Sequence, residues 1–479
     1  MRTFHKKRSL FLYGMGGMGV NMLNLIIGAR LCDALMIEGF GETDIGFWTY
    51  TDKTLVVAVV WSIMATIAKV IDAVIDIPLA TLSDRLGTKW GKRRPALLMG
   101  LIPMILAYIA FLNPLSWEAN SMLNTIWLGL MLALFFVFYT LTMGTYYATF
   151  AEVTDNEKDR VRLSNYKTVF DIVYFLLGYG LIPLMISMKL NIRIIGYIFL
   201  PLALTMLIPV FMIKEGSTLK KDLGKEGSGE KGVNIFKAIK YCFTNKSFMI
   251  WMVVYGVLQF GLQMFITGEN VYYSGALGFE GWKITLVMAA VFVPIPATLL
   301  LYNKIVRKKG IQWGFGFSLI AFALAMAIMG ICNANIITNG VARLVLAIIG
   351  GLVASFGIGC FFSISYTIPS HLAALQKKET GESNPTMYFA VQGLFSGIFT
   401  AISTGLVWVN LKNNELVWLL PVIVFGAAAI ALGMSFLLPK NINTVGMDGN
   451  EGNDGNALAA ESGEVVTVEA VESDESKPD

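Results

Sequence analysis

Three charged residues, Lys69, Asp72 and Asp76, interrupt an otherwise apolar run over residues 55–82, LVVAVVWSIMATIAKVIDAVIDIPLATL. A charge at the centre of an inserted helix costs about 2.5–3.5 kcal/mol, so such residues face a protein interior or a polar cavity. Their spacing is helical. Asp72 and Asp76 are i, i+4 neighbours, and Lys69 stands one turn before the first of them. Two carboxylates on one face repel in low dielectric and favour binding of a proton or, with further oxygen donors, a small hard cation such as sodium. Lys69 opposes the proton. The alternative to such chemistry is a static ion-paired network that ties helices together.

The elements that carry these residues follow from composition. Of 479 residues, 55% are hydrophobic and only 15% charged, with a mean hydropathy of +0.63. This is an integral membrane protein. About 20 apolar residues cross some 30 Å of hydrocarbon as a helix, and about twelve such runs recur, the first at 9–31 and the second at 52–82. The basic start, Arg2 to Arg8, resembles a signal peptide, but its apolar run is long and further spans follow, so it reads as a retained first helix. Cys32, Cys242, Cys332 and Cys360 have neither CxxC spacing nor a disulfide pattern. With only His5 and His371, a metalloenzyme or haem site is not expected, and no Ser/His or Cys/His constellation points to an enzyme.

Lys and Arg gather in alternate connections, at Arg2–Arg8, Arg85–Arg94, Lys158–Arg162, Lys304–Lys309 and Lys377–Lys378, whereas the first connection carries Asp33, Glu38, Glu42 and Asp44. The positive-inside rule then places both termini in the cytoplasm with an even number of spans. Lys189 and Arg193 run against it. Residues 214–246 are charged and Gly/Ser-rich, a cytoplasmic linker between an N-terminal six-helix half (1–213) and a C-terminal half (247–440). Residues 441–479 form an acidic tail whose composition reads as disordered. This is the layout of the major facilitator fold: an all-α membrane protein with substrate between the halves near the midplane.

The loop Ser83–Pro95, SDRLGTKWGKRRP, contains Asp84, Arg85 and Gly87 and a basic cluster with Arg93 and Arg94. Its carboxylate and guanidinium groups suit a latch on helix ends and acidic partners that holds one conformation. The motif DAVIDIP before it resembles the glycoside-pentoside-hexuronide cation symporter family of the major facilitator superfamily. Three more stretches agree in order along the chain: YGMGGMGVN (Tyr13–Asn21), AEVTDNEKDRVRL (Ala151–Leu163) and QKKETGESNPTMYFAVQG (Gln376–Gly393).

The resemblance implies a cation site between the second and fourth helices. Asp72 and Asp76 match the family's acids, Lys69 its basic residue, and Thr140 a hydroxyl ligand on helix four. It leaves sodium and proton open as the coupling ion, with no cofactor. On the substrate side the family's sugar-binding pattern is altered. Asn21 replaces a helix-one aspartate, Met143 a helix-four aspartate, Tyr147 a stacking tryptophan, Thr168 an arginine and Gly397 a lysine, while Gln392 remains. A pocket of Asn21, Tyr146, Tyr147, Gln259, Gln263 and Gln392 can still pair sugar hydroxyls, each costing about 1–3 kcal/mol if left unpaired.

Arg30 and Glu269, near helix ends, are expected to snorkel toward the interface, and Asp171 to pair with Lys167 one turn away. The expected function is cation-coupled symport of a sugar, glycoside or similar small polar solute across the cell membrane by alternating access. A lysolipid-type amphipathic substrate is the alternative, and a non-transporting membrane sensor a more distant one. The expected partners are a small-molecule substrate and the lipid bilayer, not nucleic acid, with the chain acting as a monomer.

Overall fold

A computed structural model describes residues 6–40, 45–85, 88–153, 157–216, 243–380 and 385–438. Among them are twelve helices long and apolar enough to cross a membrane. They are α1 (Lys7–Leu31), α2 (Ala58–Arg85), α3 (Arg93–Phe111), α4 (Met122–Glu152), α5 (Val169–Ser187), α6 (Ile192–Met212), α7 (Lys246–Gly275), α8 (Trp282–Val306), α9 (Ile311–Ile331), α10 (Gly340–Thr380), α11 (Val391–Asn413) and α12 (Val417–Ser435). The helix that enters α5 starts earlier, at Glu157–Leu176. The one that closes α8 extends to Lys309, as Ile295–Lys309. The described residues contain no strand, as expected where every backbone polar group must be satisfied within lipid. An even number of crossings puts the start of α1 and the end of α12 on one side, here the near face, opposite the far face.

Neighbouring helices approach closely where glycines leave room. A Cβ on Gly19 of α1 would overlap the Leu202 carbonyl of α6, so the glycine-rich start of the chain is a packing surface. Ser121 caps α4 by accepting from the Asn124 amide, and Asn245 caps α7 by accepting from the Phe248 amide, satisfying otherwise orphaned amides. At the far face, Arg193 donates to the Leu112 carbonyl at 2.6 Å and to Asn113 Oδ1 at 2.8 Å. Its guanidinium also lies 4.9 Å from the Trp117 ring centroid. One of the two residues that break the charge rule is therefore occupied at the end of α3.

The first six helices meet the last six mainly through α2 against α11. Gly397 of α11 lies so near Ala73 that any Cβ would overlap it. The lysine that the sugar-binding pattern places at this position has no room here. Further toward the far face, Ser62 Oγ of α2 donates to the Gly405 carbonyl at 2.6 Å.

Three widened, π-helical turns lie along this seam: Ile27–Leu31 in α1, Leu177–Leu181 in α5 and Ala401–Trp408 in α11. Such turns re-aim side chains and break the regular ladder. They carry Arg30, Tyr179 and Trp408, each of which reaches across to the other set of six helices. Tyr179 stacks on Phe292 of α8 with centroids 3.8 Å apart.

Replacing Gly397 with valine should push α11 off α2 and cost about 1–3 kcal/mol of overpacking, read as a lowered melting temperature of the purified protein in detergent. An unchanged melting temperature would show that the two helices do not approach there.

Candidate functional site

Near the middle of α2, Lys69, Asp72 and Thr140 come together. Thr140 Oγ1 donates to Asp72 Oδ1 at 2.9 Å. Lys69 Nζ lies 3.9 Å from Asp72 Oδ2 and 3.7 Å above the Phe136 ring centroid. Asp72 stands 14 residues into α2, about 21 Å from its far-face end at 1.5 Å per residue. The side chains of Lys69 and Asp72 are 24% and 27% exposed, so the pair lines the seam rather than sitting in closed packing. Its two ions differ in their hold: the carboxylate has a direct hydrogen bond, whereas the ammonium rests on an aromatic face at cation–π distance. Asp76 lies one turn further along α2, and its side chain is outside the described residues.

A second cluster joins α1, α4 and α5. Tyr139 donates to Asn21 Oδ1 at 3.1 Å, and Asn21 Nδ2 donates to Asp171 Oδ1 at 3.5 Å. Lys167 donates to Asp171 Oδ2. Lys167 Nζ also lies 5.2 Å from the ring centroid of Tyr147, which is 42% exposed. Asp171 thus pairs with Lys167 as expected and, beyond that, reaches Asn21. The carboxylate that α1 lacks at position 21 is supplied beside it by α5.

The remaining expected substrate residues divide. Tyr146 is fully buried; its hydroxyl donates to the Tyr13 carbonyl at 2.6 Å, and its ring stacks on Tyr13 at 5.7 Å, binding α4 to α1. Gln392 accepts from Trp251 Nε1 at 2.8 Å and donates to the Ser365 carbonyl at 2.8 Å, which ties α11 to α7 and α10. Gln263 donates to Gln259 at 3.3 Å, and Gln259 donates to the Tyr255 hydroxyl at 2.6 Å. These two glutamines form a relay along α7 rather than a bond between helices.

In the loop before α3, Gly87 and the side chains of Asp84 and Arg85 lie outside the described residues. Arg93 is buried, and its backbone N–H donates to Glu215 Oε2 at 2.8 Å. An acid just after α6 therefore caps α3, completing the kind of contact expected of Asp84. Arg94 packs half-buried beside it.

The far face holds two charged ties that the sequence did not single out as a unit. Arg30 and Glu269 do not snorkel: they are 1% and 0% exposed and face each other across the seam, Nη2 to Oε1, at 3.7 Å. Snorkelling fails because the widened turn of α1 aims Arg30 at α7 and α8, where Met288 Sδ accepts from its Nη2 at 3.7 Å and Tyr179 offers its ring at 5.0 Å. Arg30 Nε and Nη1 and Glu269 Oε1 have no hydrogen-bond partner.

The second tie is Asp33 with Lys412. The ammonium donates to the Asp33 carbonyl and lies 3.9 Å from Oδ1, while Trp408 Nε1 donates to the same carboxylate at 3.1 Å. Burial pushes the Asp33 carboxyl above the usual carboxylate range, and Lys412 and the indole oppose it. The one available signal was a lysine on the acid-bearing side of the chain. A small, partly open cavity of about 30 Å³, room for a water or two, runs from Asp33 and Trp408 to Lys69, lined also by Cys32, Trp61 and Thr404.

A family model described as MFS/sugar transport protein matches residues 12–416. The chain is 32% identical over 146 residues to an uncharacterized symporter of Synechocystis, a match covering 27% of this chain and 26% of that protein. It thus spans about a quarter of the length of that relative. The fold resembles the nucleoside transporter NupG, with a TM-score of 0.58 at 14% identity over 90% of this chain and 98% of that one. It also resembles a POT family transporter solved in complex with 5-aminolevulinic acid, with a TM-score of 0.58 at 13% identity over 90% and 95%.

Removing one partner of a buried ion pair strands the other, at a cost of about 3–5 kcal/mol. Lys412→Met should therefore lower the melting temperature and open a far-face cysteine probe to maleimide labelling. Lys412→Met combined with Asp33→Asn should recover much of the loss; equal loss in the single and double variants would rule out the pairing.

With that match spanning most of its length and twelve helices among the described residues long and apolar enough to cross a membrane, the chain belongs to the MFS/sugar transport protein family of the major facilitator superfamily and has the build of a multi-pass membrane protein.

Proposed function

We propose that the protein is a cation-coupled symporter of a sugar, glycoside or similar small polar solute. The observation that carries this reading is the Lys69–Asp72–Thr140 cluster, a carboxylate and a hydroxyl on facing helices at mid-depth, beside the seam between two six-helix halves. Asp72 and Thr140 offer oxygen donors suited to sodium or, through the carboxylate alone, to a proton. Asp76, one turn on, is the second acid of the site. Lys69 acts as a resident counter-charge: its ammonium, already seated on Phe136, balances Asp72 when the cation is absent, and Asp76 balances the charge that the transported cation adds.

The solute is held by Asn21, Asp171, Lys167 and Tyr147, an amide, a carboxylate, an ammonium and an exposed aromatic face. These are the groups that pair with hydroxyls and cover the apolar side of a sugar ring. Across the seam, Gln259 and Gln263 supply the facing polar surface. Tyr146 and Gln392 support the pocket by positioning α4 and α11.

Alternating access follows from the far-face ties. With Arg30–Glu269 and Asp33–Lys412 in place, that face is shut, and opening it separates both pairs. An ion pair held at 3.7 Å with unsatisfied donors recovers only part of its desolvation cost, so closure is not so deep that transport stalls. The basic near face is the cytoplasmic one, in the cell membrane. The basic loop with Asp84, Arg85, Gly87, Arg93 and Arg94 is the latch for that side in the opposite state; the Arg93–Glu215 contact, made within the first six helices while the far face is shut, anchors the start of α3 in both states.

Asp72→Asn should abolish cation-driven accumulation in vesicles while leaving insertion intact, with a loss of about tenfold or more in initial rate. Normal uphill accumulation by the variant would disprove the coupling assignment. A thermal-shift screen against sugars, uronic acids and lysolipids, with and without sodium, identifies the cargo class, because a ligand at 100 times its Kd stabilises by about 2.7 kcal/mol. Asp171→Asn should weaken the stabilising sugar about 10- to 100-fold and leave the sodium response unchanged. Stabilisation by lysolipid alone would replace the sugar reading.

A further inference from the structure

On the membrane-facing wall of the second half, an open groove of about 570 Å³ runs from the near-face ends of α8 and α9 to the middle of the membrane span of α10. Its walls include Leu301, Phe317, Ile320, Leu324 and Val353, and its mouth carries Lys304, Lys308 and Lys309. Phe317, Ile320 and Leu324 are exposed large hydrophobics, so the groove is covered by whatever the bilayer puts there. Leu324 lies 13 residues along α9 from the near-face end at Ile311, about 20 Å deep at 1.5 Å per residue. The groove therefore extends from the headgroup level well into the hydrocarbon.

Charge at the mouth is one-sided. Among the described residues the three lysines take part in no salt bridge, and Lys309 is held over the mouth by the rings of Trp313 and Phe317, 5.6 and 5.7 Å from its Nζ. Lys304 and Lys308 are i, i+4 neighbours on the same helix, so their ammonium groups share one side of it. A deep apolar slot below three ammonium groups, at the level where phosphates lie, matches one molecule of the bilayer: an anionic phospholipid. A zwitterionic lipid fills the slot equally well but leaves the lysine charges uncompensated.

We propose that this groove binds an anionic glycerophospholipid, one acyl chain between α8, α9 and α10 and the phosphate on Lys304, Lys308 and Lys309. The site stands apart from the transport pathway and does not depend on the identity of the solute.

The test uses full-length protein, delipidated in detergent, titrated with phosphatidylglycerol, with phosphatidylcholine of the same chains, and with inorganic phosphate, read by native mass spectrometry and melting temperature. Phosphatidylglycerol should remain bound and raise the melting temperature by several degrees more than phosphatidylcholine. K304Q/K308Q/K309Q should lose that preference, with affinity for phosphatidylglycerol down about tenfold or more, yet keep the phosphatidylcholine response. Ala321→Trp, which fills the slot from α9, should remove retention of both lipids. Equal retention of the two lipids by the unmodified protein, or a full effect of inorganic phosphate alone, overturns the proposal. Because that comparison needs no variant, poor folding of the triple substitution does not shield it.

Discussion

A charge at membrane depth has to be met by the protein itself, since neither water nor lipid does so cheaply. The organisation of this chain follows from where that constraint is applied. At mid-depth Asp72 is met by Thr140 and Lys69, and near the start of the α5 span Asp171 is met by Lys167 and Asn21. At the far face Arg30 is met by Glu269, and Asp33 by Lys412 and Trp408. The first two clusters are built within the first six helices. The last two join the first six helices to the last six.

Under the proposed function, that division separates binding from gating. A group that binds cargo needs partners that stay with it through the cycle, and Asp72 and Asp171 have theirs on neighbouring helices of the same set. A gate needs partners that can leave, and Arg30, Asp33, Glu269 and Lys412 are shared across the seam. The widened turns in α1, α5 and α11 place Arg30, Tyr179 and Trp408 at that seam. One small cavity borders both Asp33 of the far-face tie and Lys69 of the mid-depth cluster.

Several side chains show why the site was only partly legible in the sequence. Asp72 stood out because an acid in an apolar run has no bland surface role, and family likeness pointed to Thr140. Arg30 and Glu269 looked like helix-end residues, and nothing in a linear reading reveals that a widened turn directs Arg30 inward. Asp171 looked like half of a local pair, which it is, but its second partner, Asn21, lies 150 residues away. Gln392 looked like a surviving sugar ligand, whereas both ends of its amide are taken by Trp251 and Ser365. Gly397 looked like a lost lysine, and it is the point where α11 presses on Ala73.

By itself the sequence determined that this is a helical membrane protein of about twelve spans, and that α2 carries charge at its centre. Both are local properties, readable from hydropathy over some 20 residues and from the cost of a single buried ion. Only the tertiary structure decided which charges face each other, because an ion pair at the seam depends on two helices far apart in sequence and on the turn that aims each side chain. It likewise decided that position 397 has no room for a side chain and that Asp171 stands beside Asn21. Packing and pairing of this kind are set by the whole assembly of helices, not by any one stretch of the chain.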